Sequence, residues 1–190
     1  TMNERLSNIF ALSGKENLKI RKAETADILI LQGICDAWIE KGFFEGDTLP
    51  YDYVEQCLKA GDLPPISNAD IENYALYAVE NDDKIIGLFD LYDGYPEEKS
   101  AWISLFLLDI EHRGRGIGKS LIHVITDECS KTGFKSLGLA VSMNNRIALK
   151  FWVNLGFNEI LGIYGDLKYP VMALKRSEEH TSELQSLSHL

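Results

Sequence analysis

The chain has 190 residues and a formal net charge of −10, from 19 basic and 29 acidic side chains. At 45% hydrophobic and 25% charged it can bury one ordinary globular core, which excludes collagen-like, fully disordered and disulfide-scaffold classes. The acidic balance opposes tracking a phosphate backbone, and no apolar run reaches the ~18 residues of a membrane helix, so neither a nucleic-acid nor a membrane partner is expected. Cys35, Cys57 and Cys129 lie far apart without CxxC spacing, the pattern of reduced thiols in a cytoplasmic protein.

Residues 1–17 are weakly periodic and read as an N-terminal arm, a short leading helix or a loose segment, ahead of a single domain over 18–175. Residues 18–22 alternate as a strand. Thr25 is placed to cap a helix whose apolar positions Ile28, Leu31, Ile34, Cys35 and Trp38 recur at helical spacing, with Gly42 as its stop. A loop over 43–50 leads to a second helix over 51–60, which Gly61-Asp62-Leu63-Pro64-Pro65 breaks. Residues 74–80 and 84–92 form a hairpin about Asn81-Asp82-Asp83, and 102–108 read as one buried strand. A helix follows, with Ile117, Leu121, Val124, Ile125 and Cys129 on one face. A strand over 136–141, a helix over 145–154 and strands over 157–163 and 168–174 complete a mixed α/β domain with one sheet.

From Arg176 the chain turns abruptly polar. The codons of a common short-read sequencing adapter translate to Arg176 through Ser186 without a mismatch, so 176–190 is expected to be a non-native tail. From Ser177 onward it should pack against nothing. Without it the charge is 18 − 26 = −8.

The sharpest signal is Arg113-Gly114-Arg115-Gly116-Ile117-Gly118-Lys119, between a buried strand and an amphipathic helix. Glycines let successive backbone N–H groups converge on one point, and the helix adds its unsatisfied donors and positive dipole end, so the loop suits phosphate oxygens. Gly118-Lys119-Ser120 fits the end of a Walker loop, but Arg113 stands where its first glycine belongs. The dinucleotide fingerprint would need glycine where Lys119 stands, and an acid about 20 residues on that is missing from 134–143. A plain strand-to-helix turn with solvated basic residues is the structural alternative.

Arg113-x-x-Gly116-x-Gly118 resembles the pyrophosphate-binding motif of the GNAT superfamily of N-acetyltransferases. Asn145-x-x-Ala148-x-x-x-Trp152-x-x-x-Gly156-Phe157 resembles that family's second element at the spacing it uses, with Trp152 where tyrosine is common. The resemblance covers residues 18–175. It implies a GNAT-like, mainly antiparallel sheet of six to seven strands, flanked by helices and splayed at its centre. It implies acetyl-CoA as cofactor, its pyrophosphate on the amides of Arg113, Gly114, Arg115, Gly116, Ile117, Gly118 and Lys119, with Ser120 nearby. The pantetheine arm would pair with the strand ending at Leu107 and Leu108, the Leu108 amide would face the thioester oxygen, and Asn145 and Trp152 would touch the arm.

A base for the acceptor's proton is sought among Asp90, Asp93, Glu97 and Glu98, with Glu98 assigned as catalytic beside Leu108. Phe43, Phe44 and Asp47 could cover the acceptor pocket, and Tyr92, Tyr95 and Trp102 could line it. No metal is expected, since no ligand-spaced cluster is present. The expected activity is acetyl transfer from acetyl-CoA to a primary amine, with a small-molecule amine as acceptor and a protein N-terminus or lysine as second class. The protein would act as a monomer or homodimer. Two other classes compete: a non-catalytic acyl-CoA-binding module, which Trp152 keeps open, and a phosphate-loop nucleotide binder, which the failed spacings oppose.

Overall fold

The computed structural model describes residues 9–13 and 16–178. Its first two strands, β1 (Ile9–Ser13) and β2 (Glu16–Lys22), pair antiparallel, so the N-terminal arm carries a strand and joins the sheet. A single helical turn over Thr25–Asp27 comes next, capped by Glu24 rather than by Thr25, through reciprocal bonds between Glu24 and Asp27. Then come α1 (Ile28–Asp36), α2 (Glu40–Glu45) and α3 (Tyr53–Ala60). Gly42 lies inside α2 rather than ending a helix; the stop is Gly46, whose φ of 85° only glycine adopts cheaply. Phe43 and Phe44 are therefore helical.

β3 (Tyr74–Asn81) and β4 (Lys84–Asp93) form the expected hairpin, with Asp82 and Asp83 at φ of 49° and 63° in its turn. The next strand is divided into β5 (Ser100–Ile103) and β6 (Phe106–Leu108), where the sequence reads as one. α4 (Ile117–Lys131), β7 (Ser136–Ser142), α5 (Arg146–Asn154), β8 (Glu159–Tyr164) and β9 (Val171–Ser177) follow. The sheet runs β1-β2-β3-β4-β5-β7-β9-β8, with β6 also on β4. It is the mixed, mainly antiparallel sheet expected, enlarged by β1 and by the division of one strand.

Alternation along the central strands sorts two cores. Ala75, Tyr77 and Val79 of β3 face α4, whose Ile117, Leu121, Ile122, Ile125 and Cys129 are buried at helical spacing. Leu76 and Ala78 face the opposite side, against Leu31, Ile34 and Cys35 of α1 and Val54 and Cys57 of α3. Tyr77 and Phe89 stack across the hairpin with centroids 4.9 Å apart.

The tail boundary needs correction. β9 runs through Arg176 and Ser177, which pair with Leu137 and Ser136. The Arg176 guanidinium donates to the Leu155 carbonyl at 3.0 Å, and Glu178 is buried, with its amide on Lys135 and its carboxylate accepting from Ser130. These three residues belong to the fold. The rest of the expected tail, 179–190, lies outside the described residues.

Candidate active site

The division of β5 from β6 opens the sheet. β5 pairs with β7 in parallel from Ser100↔Ser136 to Ile103↔Leu139. Between Trp102 and Phe106 the register against β4 slips by one residue, because Tyr92 faces Trp102 whereas Phe89 faces Phe106. The slip is held by Asp90. This side chain is buried in the sheet, and its Oδ1 accepts from the amides of Ser104 and Leu105 at 2.7 and 3.0 Å. The kink sends β6 along β4, while β7 continues on β9 alone among the described strands.

Hydrogen-bond alternation decides which backbone groups line the gap. Asp90 donates to Leu105 and Asp109 donates to Ile86, so Leu105, Leu107 and Asp109 turn their polar groups onto β4. Phe106 and Leu108 turn theirs the other way, into the gap. Of the two expected arm-binding residues, Leu108 turns its backbone into the gap, whereas Leu107 bonds to β4 and sends its side chain into the α1–α3 core. Phe106 takes the place expected of Leu107. The bulge decides the parity, and no local sequence signal marks it.

A cavity of about 320 Å³ fills the gap, between Ile103–Phe106 on one strand and Leu139–Ser142 on the other. Asn145 and Trp152 line it. Asn145 also caps α5, its side-chain oxygen accepting from the Ala148 amide at 3.1 Å. Trp152 is 7% exposed and packs edge-to-face with Phe106, Phe151 and Phe157, so it is at once core and cavity wall.

The glycine loop lies beyond β6. Gly114 and Gly116 have φ of 73° and 82°, and a Cβ built on either meets nothing within 4 Å. They therefore frame an open cradle at the head of α4, where the amides of Ile117, Gly118 and Lys119 precede the first helical bond, Ser120 to Gly116. Ile117 is fully buried and anchors the turn. Gly118 serves packing, since a Cβ there would come 3.3 Å from the Phe151 ring. Arg113 turns back, its Nε donating to the Leu108 carbonyl at 3.0 Å, and so ties the loop to the strand edge. Arg115 and Lys119 are exposed beside the cradle.

The far wall comes from the helices before β3: Trp38, Lys41, Phe44 and Glu45, then Tyr53 and Asp62. The Phe44 carbonyl accepts from Ser142 Oγ and Asn144 Nδ2 at 3.0 and 3.1 Å, which latches α2 across the end of β7. Phe44 thus lies over the cavity. Phe43 is 81% exposed, and Asp47 pairs with Lys41. Tyr92, Tyr95 and Trp102 do not line the cavity; Tyr95 and Trp102 pack on each other, and the Tyr92 hydroxyl accepts from the Asp70 amide. Glu98 is exposed before β5, in a shallow groove with Asp93 and Glu97 at the other end of that strand from the kink. The catalytic assignment of Glu98 is therefore corrected: the fold separates it from the gap. Burial pushes the Asp90 carboxyl up to about 7, against the opposing effect of its two amide bonds.

The family model for acetyltransferases of the GNAT family matches residues 33–157, from α1 to the end of the Asn145–Phe157 motif. The chain belongs to the GNAT acetyltransferase family. No curated protein matches the sequence. Solved structures with the same fold include an acetyltransferase from Thermus thermophilus, 19% identical, with TM-score 0.64 over 89% of this chain and 99% of that one. The ribosomal-protein-S18-alanine N-acetyltransferase of Escherichia coli is 17% identical, with TM-score 0.62 over 84% and 93%. The spermidine N-acetyltransferase of Vibrio cholerae, in complex with CoA and spermine, is 20% identical, with TM-score 0.63 over 85% and 96%.

A GNAT acetyltransferase uses an acyl-CoA, and the residues here fit one. The cradle that added Cβ atoms would fill can take the pyrophosphate, and the outward groups of Phe106 with the outward amide of Leu108 can pair with an amide-bearing arm. The thioester supplies an activated acyl carbon. Fixed strand amides of this kind stabilise negative charge developing on an acyl oxygen.

Proposed function

We propose that this GNAT protein transfers an acetyl group from acetyl-CoA to a primary amine of a small-molecule acceptor. The observation that carries the reading is the succession of three parts: an open glycine cradle, a strand edge with outward backbone groups, and a cavity between that strand and α2–α3. Holding both reactants across one gap supplies orientation, which for a reactive thioester is a large share of catalysis. Trp38, Phe44 and Tyr53 with Glu45 and Asp62 give the acceptor side aromatic faces and negative charge, chemistry suited to a cationic amine. Spermine in the Vibrio cholerae complex is an amine of that class. A reducing compartment such as the cytoplasm suits three buried cysteines that form no disulfide.

The test is thiol release from acetyl-CoA with a panel of polyamines, aromatic amines and short peptides, beside calorimetric titration of CoA. Binding with turnover of a small amine supports the proposal. Binding without turnover of any amine would favour the non-catalytic acyl-CoA module, and no binding would overturn the site.

A further inference from the structure

In a regular strand successive N–H groups point to opposite edges. At the kink two consecutive ones, from Ser104 and Leu105, converge on Asp90 Oδ1 at 2.7 and 3.0 Å. Asp90 grips the same point with its backbone, whose N–H donates to the Leu105 carbonyl at 3.1 Å. The Tyr74 hydroxyl donates to Oδ2 at 3.0 Å, which steadies the carboxyl group and leaves Oδ1 to the kink. Asp90 is 1% exposed and does not line the cavity; Ile103, Ser104, Leu105 and Phe106 do. Whatever Asp90 contributes to the site, it contributes through that strand.

Continuing the Tyr92↔Trp102 pairing without a slip would set Phe106 opposite Leu88 and Leu108 opposite Ile86. Asp90 donates to Leu105 and Ile86 accepts from Asp109, so by alternation Ile86, Leu88 and Asp90 are the β4 positions that bond toward this strand. Phe106 and Leu108 would then turn their backbone groups onto β4, and the gap would face Leu105 and Leu107 instead. The side chains of those two leucines would also leave the α1–α3 core. The slipped register has a second fit at its outer end. Gly87 lies opposite Leu108, where a Cβ would come 2.7 Å from Leu108 Cδ2 and 2.8 Å from the Leu107 carbonyl. Arg113 takes the Leu108 carbonyl, so the gap is offered the Phe106 N–H, the Phe106 carbonyl and the Leu108 N–H.

We infer that Asp90 is a positioning residue for the acyl-CoA arm: by accepting two consecutive amides it holds the one-residue slip that turns the Phe106 and Leu108 backbone into the gap. The inference rests on the acyl-CoA reading above. The role belongs to the acceptor oxygen, not to charge or bulk. A side chain without an acceptor leaves two convergent N–H groups unmet, a cost that the unslipped register relieves. The glycine cradle lies outside the slip, beyond Leu108. The nucleotide end of the cofactor therefore keeps its site when the arm loses its partners.

The experiment titrates CoA and 3′-phospho-ADP, its nucleotide half without the arm, into the full chain by calorimetry. The wild type binds CoA more tightly by about tenfold or more, the worth of two or three hydrogen bonds to the arm. Asp90→Asn, whose side-chain oxygen accepts the same two amides, keeps that ratio. In Asp90→Leu the ratio falls to about threefold or less through weaker CoA binding, while 3′-phospho-ADP affinity holds. Amide exchange supplies a second readout: CoA slows exchange at Phe106 and Leu108 in the wild type and in Asp90→Asn, and leaves it unchanged in Asp90→Leu. With an amine acetylated in the panel, kcat falls about a hundredfold in Asp90→Leu, the effect of a reacting group misplaced by about 1 Å, and Asp90→Asn retains it. Where Asp90→Leu does not fold, Asp90→Val, a smaller strand former that also lacks the acceptor, is read the same way. An unchanged ratio in either apolar variant overturns the inference, and so does a loss in Asp90→Asn as large as in Asp90→Leu. A wild type that binds 3′-phospho-ADP as tightly as CoA also overturns it, with the cradle intact. A wild type that binds neither ligand overturns the acyl-CoA reading and the inference with it.

Discussion

Gly116 and Trp152 make opposite demands on substitution. At Gly116 space is open, but φ is 82° and the space is where the cradle's ligand would sit. Gly116→Val therefore strains the turn and fills the cradle, and CoA affinity is expected to fall by about tenfold or more while the fold persists. Calorimetry with both forms checks this. At Trp152 space is full. Indole does not ionise usefully, so it cannot serve as a proton donor for the leaving thiolate, and Trp152→Phe is expected to keep most turnover. Trp152→Ala empties a site walled by three phenyl rings and should cost about 3–5 kcal/mol, read from urea unfolding. A fall in kcat of more than about a hundredfold in the Phe variant, with CoA binding intact, would give the indole N–H a catalytic role.

Local backbone demand made the glycine loop and the Asn145–Phe157 segment legible, because each needs particular residues within a few positions. The acceptor wall was not legible. Lys41, Tyr53 and Asp62 come from α2, α3 and the segment after it, and they line one cavity only once those elements have packed over the kinked strand. Phe106 was missed for a related reason. Its outward backbone depends on a one-residue slip fixed by the side chain of Asp90 on a neighbouring strand, and a wrong parity turns every inference about that strand inside out.

The same carboxylate gives the β4–β5–β6 element a pH signature. Asp90 folds with a pKa of about 7, above the ~3.9 of an unfolded aspartate. The folded state therefore binds more protons in that window, and stability from this group falls as pH rises from about 4 to about 7. Asp27, held below its usual range by Arg21, acts with the opposite sign, its contribution lost as pH falls through the lowered folded value. Urea unfolding of the wild type and Asp90→Asn at about pH 5 and 8 isolates the first effect. The wild type should lose on the order of 2–3 kcal/mol more than the variant between them. Equal losses would mean that Asp90 is ionised throughout.

At the scale of the whole chain, the boundary of the domain is an energetic question. A chain ending at Lys175 loses the Arg176–Leu155 bond, the last two β7–β9 register pairs and the Glu178 contacts. Each lost buried bond costs about 1 kcal/mol, and each kcal/mol about 2–4 °C in a domain of this size. The melting temperature is expected to fall several degrees below that of a chain ending at Glu178. Equal values would make the last turn of β9 dispensable.

The parallel seam between β5 and β7 has a mechanical consequence. Four register pairs, closed at one end by the buried Ser100–Ser136 hydroxyl pair at 2.6 Å, are what join two half-sheets in this plane. The halves are leaves on a short hinge, and among the described residues no strand spans the wedge between them. An acyl-CoA arm bonded to Phe106 and Leu108 would act as a rivet across that wedge. Occupancy should then stiffen the sheet far from any phosphate contact, slowing amide exchange along the hinge pairs as well as at the edge where the arm lies.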